Sequence, residues 1–286
     1  MVEVTPATAR PLAPSRAPLV LTPVSAWFDL GLGDLWRYRE LLFFLTWRDV
    51  KVRYKQTVLG IAWAALQPLL TMAIFTVVFG AIARLPSGGV PYPLFVLTAL
   101  LPWQLFAFSL TNASNSLVGN QNLVSKVYFP RLVIPIAATF PGLVDLAISL
   151  LIVVAMMIGT GCAVGPRLLA LPCFLALAMA SALAVGLWLS ALNVRYRDVR
   201  HVVPFLATMW QFATPIGYSE SLIPARWRWL YDLNPMTGVV RGFRWSLLGV
   251  GQIDQSVWIS TGLIAVLLVS GVIHFKRMED TFADVI

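Results

Sequence analysis

Charged, thiol and imidazole side chains are scarce in this sequence. Only 12% of the residues are charged, which is about half the share of an ordinary soluble domain. The chain has two cysteines and two histidines, and neither pair shows the spacing of zinc ligands. The sequence therefore predicts no metal site.

Sequence motifs of enzymes are missing as well. There is no G-x-S-x-G, no H-E-x-x-H and no paired acidic motif, so no catalytic residue is predicted. The phosphate-binding loop G-x-x-x-x-G-K-[ST] is also absent. We interpret the chain as a non-enzyme without a cofactor of its own. If it works with ATP, another polypeptide must bind the ATP and Mg²⁺.

Apolar residues are abundant, at 58% of the chain with a mean hydropathy of +0.78. A soluble fold of this size could not bury so much apolar surface, which predicts an all-α membrane protein. The Pro-rich residues 1–33 are predicted to be a disordered cytoplasmic tail, and residues 34–286 a single transmembrane domain. Six stretches with little or no charge predict spans at about 60–83, 93–117, 132–158, 168–193, 202–217 and 256–273.

The basic residues predict how these spans are oriented. With the N-terminus in the cytoplasm, 15 of the 21 Lys and Arg residues fall inside and 6 outside. Cytoplasmic loops of membrane proteins carry such an excess, so we expect both termini to be cytoplasmic. The same topology accounts for the net charge of +8, which makes nucleic-acid binding an unnecessary explanation.

Residues 35–57 predict an amphipathic interface helix ahead of the first span. Aromatic residues such as Trp36 and Trp47 recur at helical spacing, and Arg48, Lys51 and Lys55 form a basic stripe. The pattern fits plain membrane anchoring as well as contact with a protein partner. The aromatic-rich connection between predicted spans 5 and 6 favours short re-entrant or interfacial helices on the outer side.

Three residues in the spans are candidates for a substrate path. Asp145 is an ionisable residue inside the third predicted span, and such residues usually mark a functional site. It could face a water-filled cavity, a second subunit or a proton path, or be a structural hydrogen-bonded carboxylate. Gln67 precedes Pro68, which predicts a bend in the first span, and Trp63 lies one turn before it. Trp63 could instead lie at the inner membrane interface.

The connection between predicted spans 2 and 3 contains apolar and aromatic residues that a simple linker would not need. Its residues 120–131 read NQNLVSKVYFPR, a short polar helix closed by a proline. Leu123, Val127 and Tyr128 are predicted to dock into a groove of a soluble partner.

Seven segments of the sequence form a recognisable series. In chain order they are TWRDVKVRYKQTVLGIAWAALQPLL (46–70), LLPWQLF (100–106), NLVSKVYFPRLVIP (122–135), LNVRYRDVRHVVPF (192–205), ATPIGY (213–218), LNPMTGVVRGFR (233–244) and FKRMEDTFADVI (275–286). In this order they resemble the permease family of type-two ABC exporters, in the branch that exports O-antigen, capsule or teichoic acid chains. The resemblance covers about residues 41–286. It implies a homodimer in the bacterial inner membrane, two copies of an ABC ATPase, and a polysaccharide linked to polyprenyl pyrophosphate as substrate.

The resemblance also implies roles for individual residues. The ATPase-coupling region would contain Asn122, Leu123, Lys126, Tyr128, Phe129, Pro130 and Arg131. The interface helix would contribute Arg48, Lys51, Arg53, Tyr54 and Lys55. Cations such as Arg53, Lys55 and Lys126 would attract a pyrophosphate headgroup.

Other functions remain open from the sequence. An ABC exporter of a drug or small lipid would share the six spans, but usually lacks the NVRYRD and FADVI stretches found here. A proton-coupled carrier would need more buried charge and inverted repeats. A membrane enzyme acting on polyprenyl lipids would need an acidic or basic cluster at the membrane face.

Overall fold

A computed structural model describes residues 32–55, 60–162 and 165–285. Within these ranges the chain forms helices and turns and no strand. The predicted tail up to residue 31 lies outside them. The α-helices are α1 (Leu32–Arg37), α2 (Arg39–Lys55), α3 (Gly60–Phe75), α4 (Tyr92–Gly119), α5 (Gln121–Lys126), α6 (Val133–Ala137), α7 (Gly142–Thr160), α8 (Leu171–Arg195), α9 (Val199–Ala213), α10 (Arg228–Asp232), α11 (Pro235–Leu248) and α12 (Gln255–Val285).

Five helical segments of the described residues are long and apolar enough to cross a membrane. They coincide with predicted spans 1, 2, 3, 4 and 6, so the chain is an all-helical, multi-pass membrane protein. The fifth predicted span falls on α9, whose 15 residues are too few for length alone to identify a span. The five segments are Ala62–Ile82, Tyr92–Gly119, Val133–Thr160, Pro166–Arg195 and Gln255–Phe282.

Helix α4 is the centre of the bundle. Of its most apolar window 78% is buried within the chain, against 11% for the first span. Helix α8 packs most extensively on α4 and on α12. At the α4–α8 contact, a Cβ on Gly186 would lie 2.9 Å from the Cβ of Ala113, so glycine is needed for this close approach.

Two predicted helices are interrupted. The interface helix, predicted as continuous over 35–57, breaks at Tyr38 between α1 and α2, and residues 56 and 57 lie outside the described ranges. The third predicted span consists of α6 and α7, separated by residues 138–141. Pro141 cannot donate a backbone hydrogen bond, so a new helix begins after it. Asp145 consequently lies in the first turn of α7.

The first span begins as an α-helix and ends as a π-helix. Helix α3 contains Pro68 and continues into a π-helix over Thr76–Ile82, while the bend at Pro68 stays a prediction. Beyond α9 the connection forms two short 3₁₀ turns, Glu220–Leu222 and Ala225–Trp227, followed by α10 and α11. These elements are too short or too polar to count among the five long apolar segments.

Candidate functional site

Helix α2 is attached to one end of the bundle next to α6. Leu45 is its buried residue, and the Thr46 hydroxyl donates to the carbonyl oxygen of Ala137 at 3.4 Å. Its aromatic side chains remain largely exposed, including Phe43 at 68% and Trp47 at 50%. A helix bound by a narrow apolar contact, with aromatics facing outward, suits a membrane surface.

The basic residues predicted on α2 have different surroundings. Arg48 forms an ion pair with its neighbour Asp49 at 2.7 Å. The Lys51 ammonium lies 5.5 Å from the centroid of the Trp47 ring, and Lys55 is exposed. These three residues therefore face away from the bundle interior.

Arg53 and Tyr54, at the end of α2, both bind Asp145. A guanidinium nitrogen (Nη2) of Arg53 lies 2.6 Å from Oδ2 of Asp145, and the Tyr54 hydroxyl donates to Oδ1 at 2.5 Å. The Arg53 guanidinium also lies 4.3 Å from the centroid of the Phe108 ring in α4. Residues predicted separately, two on the interface helix and one in a span, thus form one contact between α2 and α7.

The Tyr54 phenol keeps its proton at this contact. Burial, followed by the hydrogen bond to Asp145, raises the pKa of Tyr54 above its ordinary value. The Asp145 side chain lies in the first turn of α7 and binds both α2 residues. The same side chain also lines a cavity.

The cavity beside Asp145 has a volume of about 460 Å³ and lies among α2, α3, α4, α7 and α9. Of the three candidate path residues, Gln67 and Asp145 line it together. Trp63 does not line it and is 50% exposed. Arg53 also reaches the cavity wall. The polar lining residues are Arg53, Gln67, Thr71, Gln104, Thr111, Asn112, Asp145, Ser149 and Gln211.

The polar wall supplied by α4 was not predicted from the sequence, although a signal was available. Gln104, Phe108, Thr111 and Asn112 recur at spacings of three, four or one and share one side of a helix. Two amides and a hydroxyl on one side of a helix that is long and apolar enough to cross a membrane indicate a wetted surface.

The residues of the connection between α4 and α6 differ in how exposed they are. Asn122, Lys126 and Tyr128 point outward, and Tyr128 is 81% exposed. Leu123 is partly buried, whereas Phe129 is only 5% exposed and packs in the core cluster that also holds Val124 and Leu45. Tyr128 is therefore the aromatic residue of this segment that a partner could reach.

The end of this connection is fastened to α12. The backbone N–H of Arg131 donates to the Glu279 carboxylate (Oε1) at 2.9 Å. The Arg131 guanidinium donates to the backbone carbonyl of Glu279 as well. Pro130, just before it, is partly buried. These two bonds join segments that are far apart in the sequence, and they hold the connection between α4 and α6 against the C-terminal helix.

The sequence of the chain is similar to those of a known transporter family and of several individual proteins. The sequence profile of the ABC-2 type transporter family matches residues 40–248. The chain is 30% identical over 253 residues to the O-antigen export system permease protein RfbA of Klebsiella pneumoniae, covering 86% of this chain and 95% of the relative. It is 31% identical to the protein of the same name from Myxococcus xanthus, covering 74% and 81%. It is 24% identical to the polysialic acid transport protein KpsM of Escherichia coli, covering 76% and 83%.

Proposed function

This chain belongs to the ABC-2 type transporter family, and from that premise we propose that it is the permease subunit of a polysaccharide exporter. Its substrate is an O-antigen-like chain linked to polyprenyl pyrophosphate. Membership of the family implies a separate ABC ATPase, which binds the ATP and Mg²⁺ that this chain has no loop to hold.

The observation that carries the proposal is the extent of the similarity to O-antigen export permeases. It reaches 30% identity over 86% of the chain, whereas the polysialic acid transport relatives reach 24% and 25% over 76%. Capsule export is thus the weaker candidate, and the teichoic acid, drug, small-lipid and proton-coupled alternatives gain no support from these relatives.

The proposed topology has six spans, with both termini in the cytoplasm of a bacterial inner membrane and two copies forming a homodimer. Helix α9 serves as the fifth span. Its 15 residues rise about 22 Å, and the residues that follow it in the chain, 214–217, are buried. Trp210 ties it to the bundle, because its ring meets Phe106 edge-on at 5.0 Å and its indole N–H donates to Asn234. Helices α10 and α11 are interfacial or re-entrant helices on the outer side.

The proposed mechanism starts at the cytoplasmic surface. The ATPase contacts α2 and the exposed residues of α5 and its connection, Asn122, Lys126 and Tyr128. When the two ATPases close on ATP, α2 moves, and its bonds from Arg53 and Tyr54 to Asp145 transmit the displacement to α7. The cavity lies between these helices, so it changes shape as they move.

The substrate headgroup approaches on the same side. Lys55 and Lys126 are exposed cations near the lipid surface and suit attraction of a pyrophosphate. The amides of the cavity wall, Gln67, Gln104 and Asn112, suit the hydroxyl groups of the sugars that follow.

A vesicle assay tests the proposed function. The chain is purified with its co-expressed ATPase, reconstituted, and supplied with a polyprenyl-linked glycan on the ATPase side. We expect glycan movement that requires both ATP and the partner ATPase. Movement without the ATPase, or ATP hydrolysis that a lipid-linked glycan neither stimulates nor follows, would contradict the proposal.

A further inference from the structure

An apolar groove of about 380 Å³ lies between α4, α8 and α9. It is lined by Leu110 of α4, by Val185 and Leu189 of α8, and by five residues of α9, all of them apolar or aromatic. The indole N–H of Trp210 in this lining already has a partner, because it donates to Asn234 at 2.9 Å. The groove therefore suits an apolar occupant.

The groove is about as long as one leaflet of a bilayer. Along α9 its lining runs from Val203 to Ala213, ten positions that rise about 15 Å in an α-helix. That is half of the apolar core of a bilayer, which is about 30 Å thick. Val203 lies near the start of α9, and Leu189 lies less than two turns before the end of α8. The groove thus begins next to the connection between α8 and α9 and ends near the middle of the bundle.

Arginines surround this connection, which is cytoplasmic in the proposed topology. It reads RYRDVR, three arginines against one aspartate. Arg195, Arg197 and Arg200 are exposed, and none of them forms an ion pair within the described part of the chain. The Arg195 guanidinium lies 5.6 Å from the centroid of the Tyr196 ring, and the Nε–H of Arg200 donates to the ring of His201. The mouth of the groove therefore carries a positive charge that no described carboxylate pairs with.

The groove is separate from the polar cavity beside Asp145. Helix α9 contributes Gln211 to that cavity, and Met209 and Ala213 to the groove. Two positions turn an α-helix by about 200°, so the groove and the cavity lie on nearly opposite sides of α9. A molecule in the groove is therefore not on the path proposed for the sugars.

An apolar slot with cations at its mouth fits an amphiphile that has a negatively charged headgroup. Basic residues at the cytoplasmic ends of membrane helices attract anionic lipid headgroups, each contributing a similar amount. An acyl chain of a phospholipid spans one leaflet, as the groove does. A polyprenyl tail is much longer than the groove, so the fit favours a phospholipid over the lipid carrier of a glycan.

We propose that the groove and the arginines at its mouth bind one anionic phospholipid of the inner leaflet. One acyl chain lies along Leu206 and Met209, which are nearly half exposed, and the phosphate lies near Arg197 and Arg200. The lipid fills the space beside α9 and thereby holds this short helix against α4 and α8. The proposal uses the proposed topology and makes no use of the glycan.

The test measures lipid binding to the full-length chain by native mass spectrometry. The chain is purified without the ATPase, freed of lipid in detergent, and titrated with phosphatidylglycerol or with phosphatidylcholine that has the same acyl chains. We expect phosphatidylglycerol to bind more tightly. Arg197→Ala and Arg200→Ala should each weaken its binding about fivefold and leave phosphatidylcholine unaffected, whereas Arg197→Lys should keep most of the affinity. Arg226→Ala is the matched control, because Arg226 is also exposed beside an aromatic ring but lies beyond the far end of α9 in the chain.

A second variant tests the groove itself. Ala213 is exposed at the end of the groove away from the arginines, so Ala213→Trp can fill that end without disturbing a packed core. It should weaken binding of both lipids several-fold. Ala176→Trp is the control, since Ala176 is an exposed alanine of α8 that lies outside the groove.

Several outcomes would overturn the lipid site. Equal affinity for the two lipids, or native affinity in the alanine variants of the arginines, would exclude the headgroup contact, and native affinity in Ala213→Trp would exclude the groove. Displacement of phosphatidylglycerol by a lower concentration of unglycosylated polyprenyl pyrophosphate would assign the groove to the lipid carrier. Binding by the monomer but not by the dimer in the same spectra would mean that a second copy covers it.

Two parallel measurements separate this proposal from the others. If the alanine variants of the arginines lose ATPase binding in a pull-down but bind phosphatidylglycerol normally, the arginines contact the ATPase and the lipid site is refuted. Glycan export is measured on the reconstituted complex, so a chain that exports glycan without binding phosphatidylglycerol refutes the lipid site and leaves the proposed function standing.

Discussion

Removing one oxygen atom from Tyr54 should separate ATP hydrolysis from export. Tyr54→Phe keeps the ring but deletes the hydroxyl that donates to Asp145 at 2.5 Å. If this bond transmits movement of α2 to α7, the ATPase should still hydrolyse ATP while export falls about tenfold. Both rates are measured on the same proteoliposomes, so a general loss of active protein would lower them together.

The free energy of the contact between α2 and Asp145 has two contributions, the hydrogen bond from Tyr54 and the ion pair with Arg53. A hydrogen bond to a charged group contributes about 1.5–3 kcal/mol, and a partly exposed ion pair about 0–1 kcal/mol. Both side chains of the Arg53–Asp145 pair are partly exposed, at 36% and 22%, so the hydrogen bond from Tyr54 is the larger contribution. We expect a coupling energy near 1.5 kcal/mol between positions 54 and 145, which is about tenfold in an equilibrium constant.

A double-mutant cycle of Tyr54→Phe and Asp145→Asn measures that coupling, with unfolding in SDS as the stability assay. Tyr38→Phe is the matched control, because the Tyr38 hydroxyl makes no hydrogen bond within the described part of the chain. It should change stability by less than about 0.5 kcal/mol. Additive effects of the two mutations, or normal export by Tyr54→Phe, would refute the coupling role of the contact.

Three further predictions concern other parts of the permease. Tyr128→Ala and Lys126→Glu remove or reverse exposed groups of the coupling region, so each should lower ATPase binding in a pull-down while membrane insertion persists. Gln104→Leu removes an amide from the cavity wall and should lower export several-fold without changing ATPase binding. Gly186→Ala places a methyl group 2.9 Å from Ala113 and should destabilise the bundle by about 1–3 kcal/mol in SDS unfolding.

Each of these predictions has a contradicting result. Wild-type ATPase binding by both coupling variants would remove the 121–131 connection from the interface. Full export by Gln104→Leu would show that the sugars do not touch this wall. Unchanged stability of Gly186→Ala would mean that α4 and α8 separate at little cost, contrary to the burial of Ala113 and Gly186 at their contact.

The spans were predictable because they depend on composition along the chain. A stretch without charge that is long enough to cross a bilayer is visible without any knowledge of packing. The fifth span was the least distinct in the sequence, and α9 is also the shortest of the helical segments assigned to spans. Prediction was weaker where the backbone breaks, because α6 ends at Ala137 and α7 begins after Pro141 inside a stretch that is mostly apolar and was predicted as one span.

The partners of the site residues could not be predicted, since they depend on contacts between distant segments. Tyr54 and Asp145 are 91 positions apart, and Arg131 and Glu279 are 148 apart. Nothing in the local sequence of either residue specifies the other. By contrast, the polar row on α4 with Gln104 and Asn112 has helical spacing and could have been found by searching the spans for amides.

Helix α12 is long enough to transmit movement from one end of the bundle to the other. Its 31 residues make one uninterrupted rod about 46 Å long. The rod starts at Gln255, and near its other end the Glu279 carboxylate accepts a hydrogen bond from the backbone of Arg131, in the connection that we propose contacts the ATPase. A tilt of about 5° about one end displaces the other by about 4 Å, more than the length of a hydrogen bond. In the proposed topology this helix is a strut between the two surfaces of the membrane, so a push on Arg131 would displace the far end of α12 as part of the same rigid body.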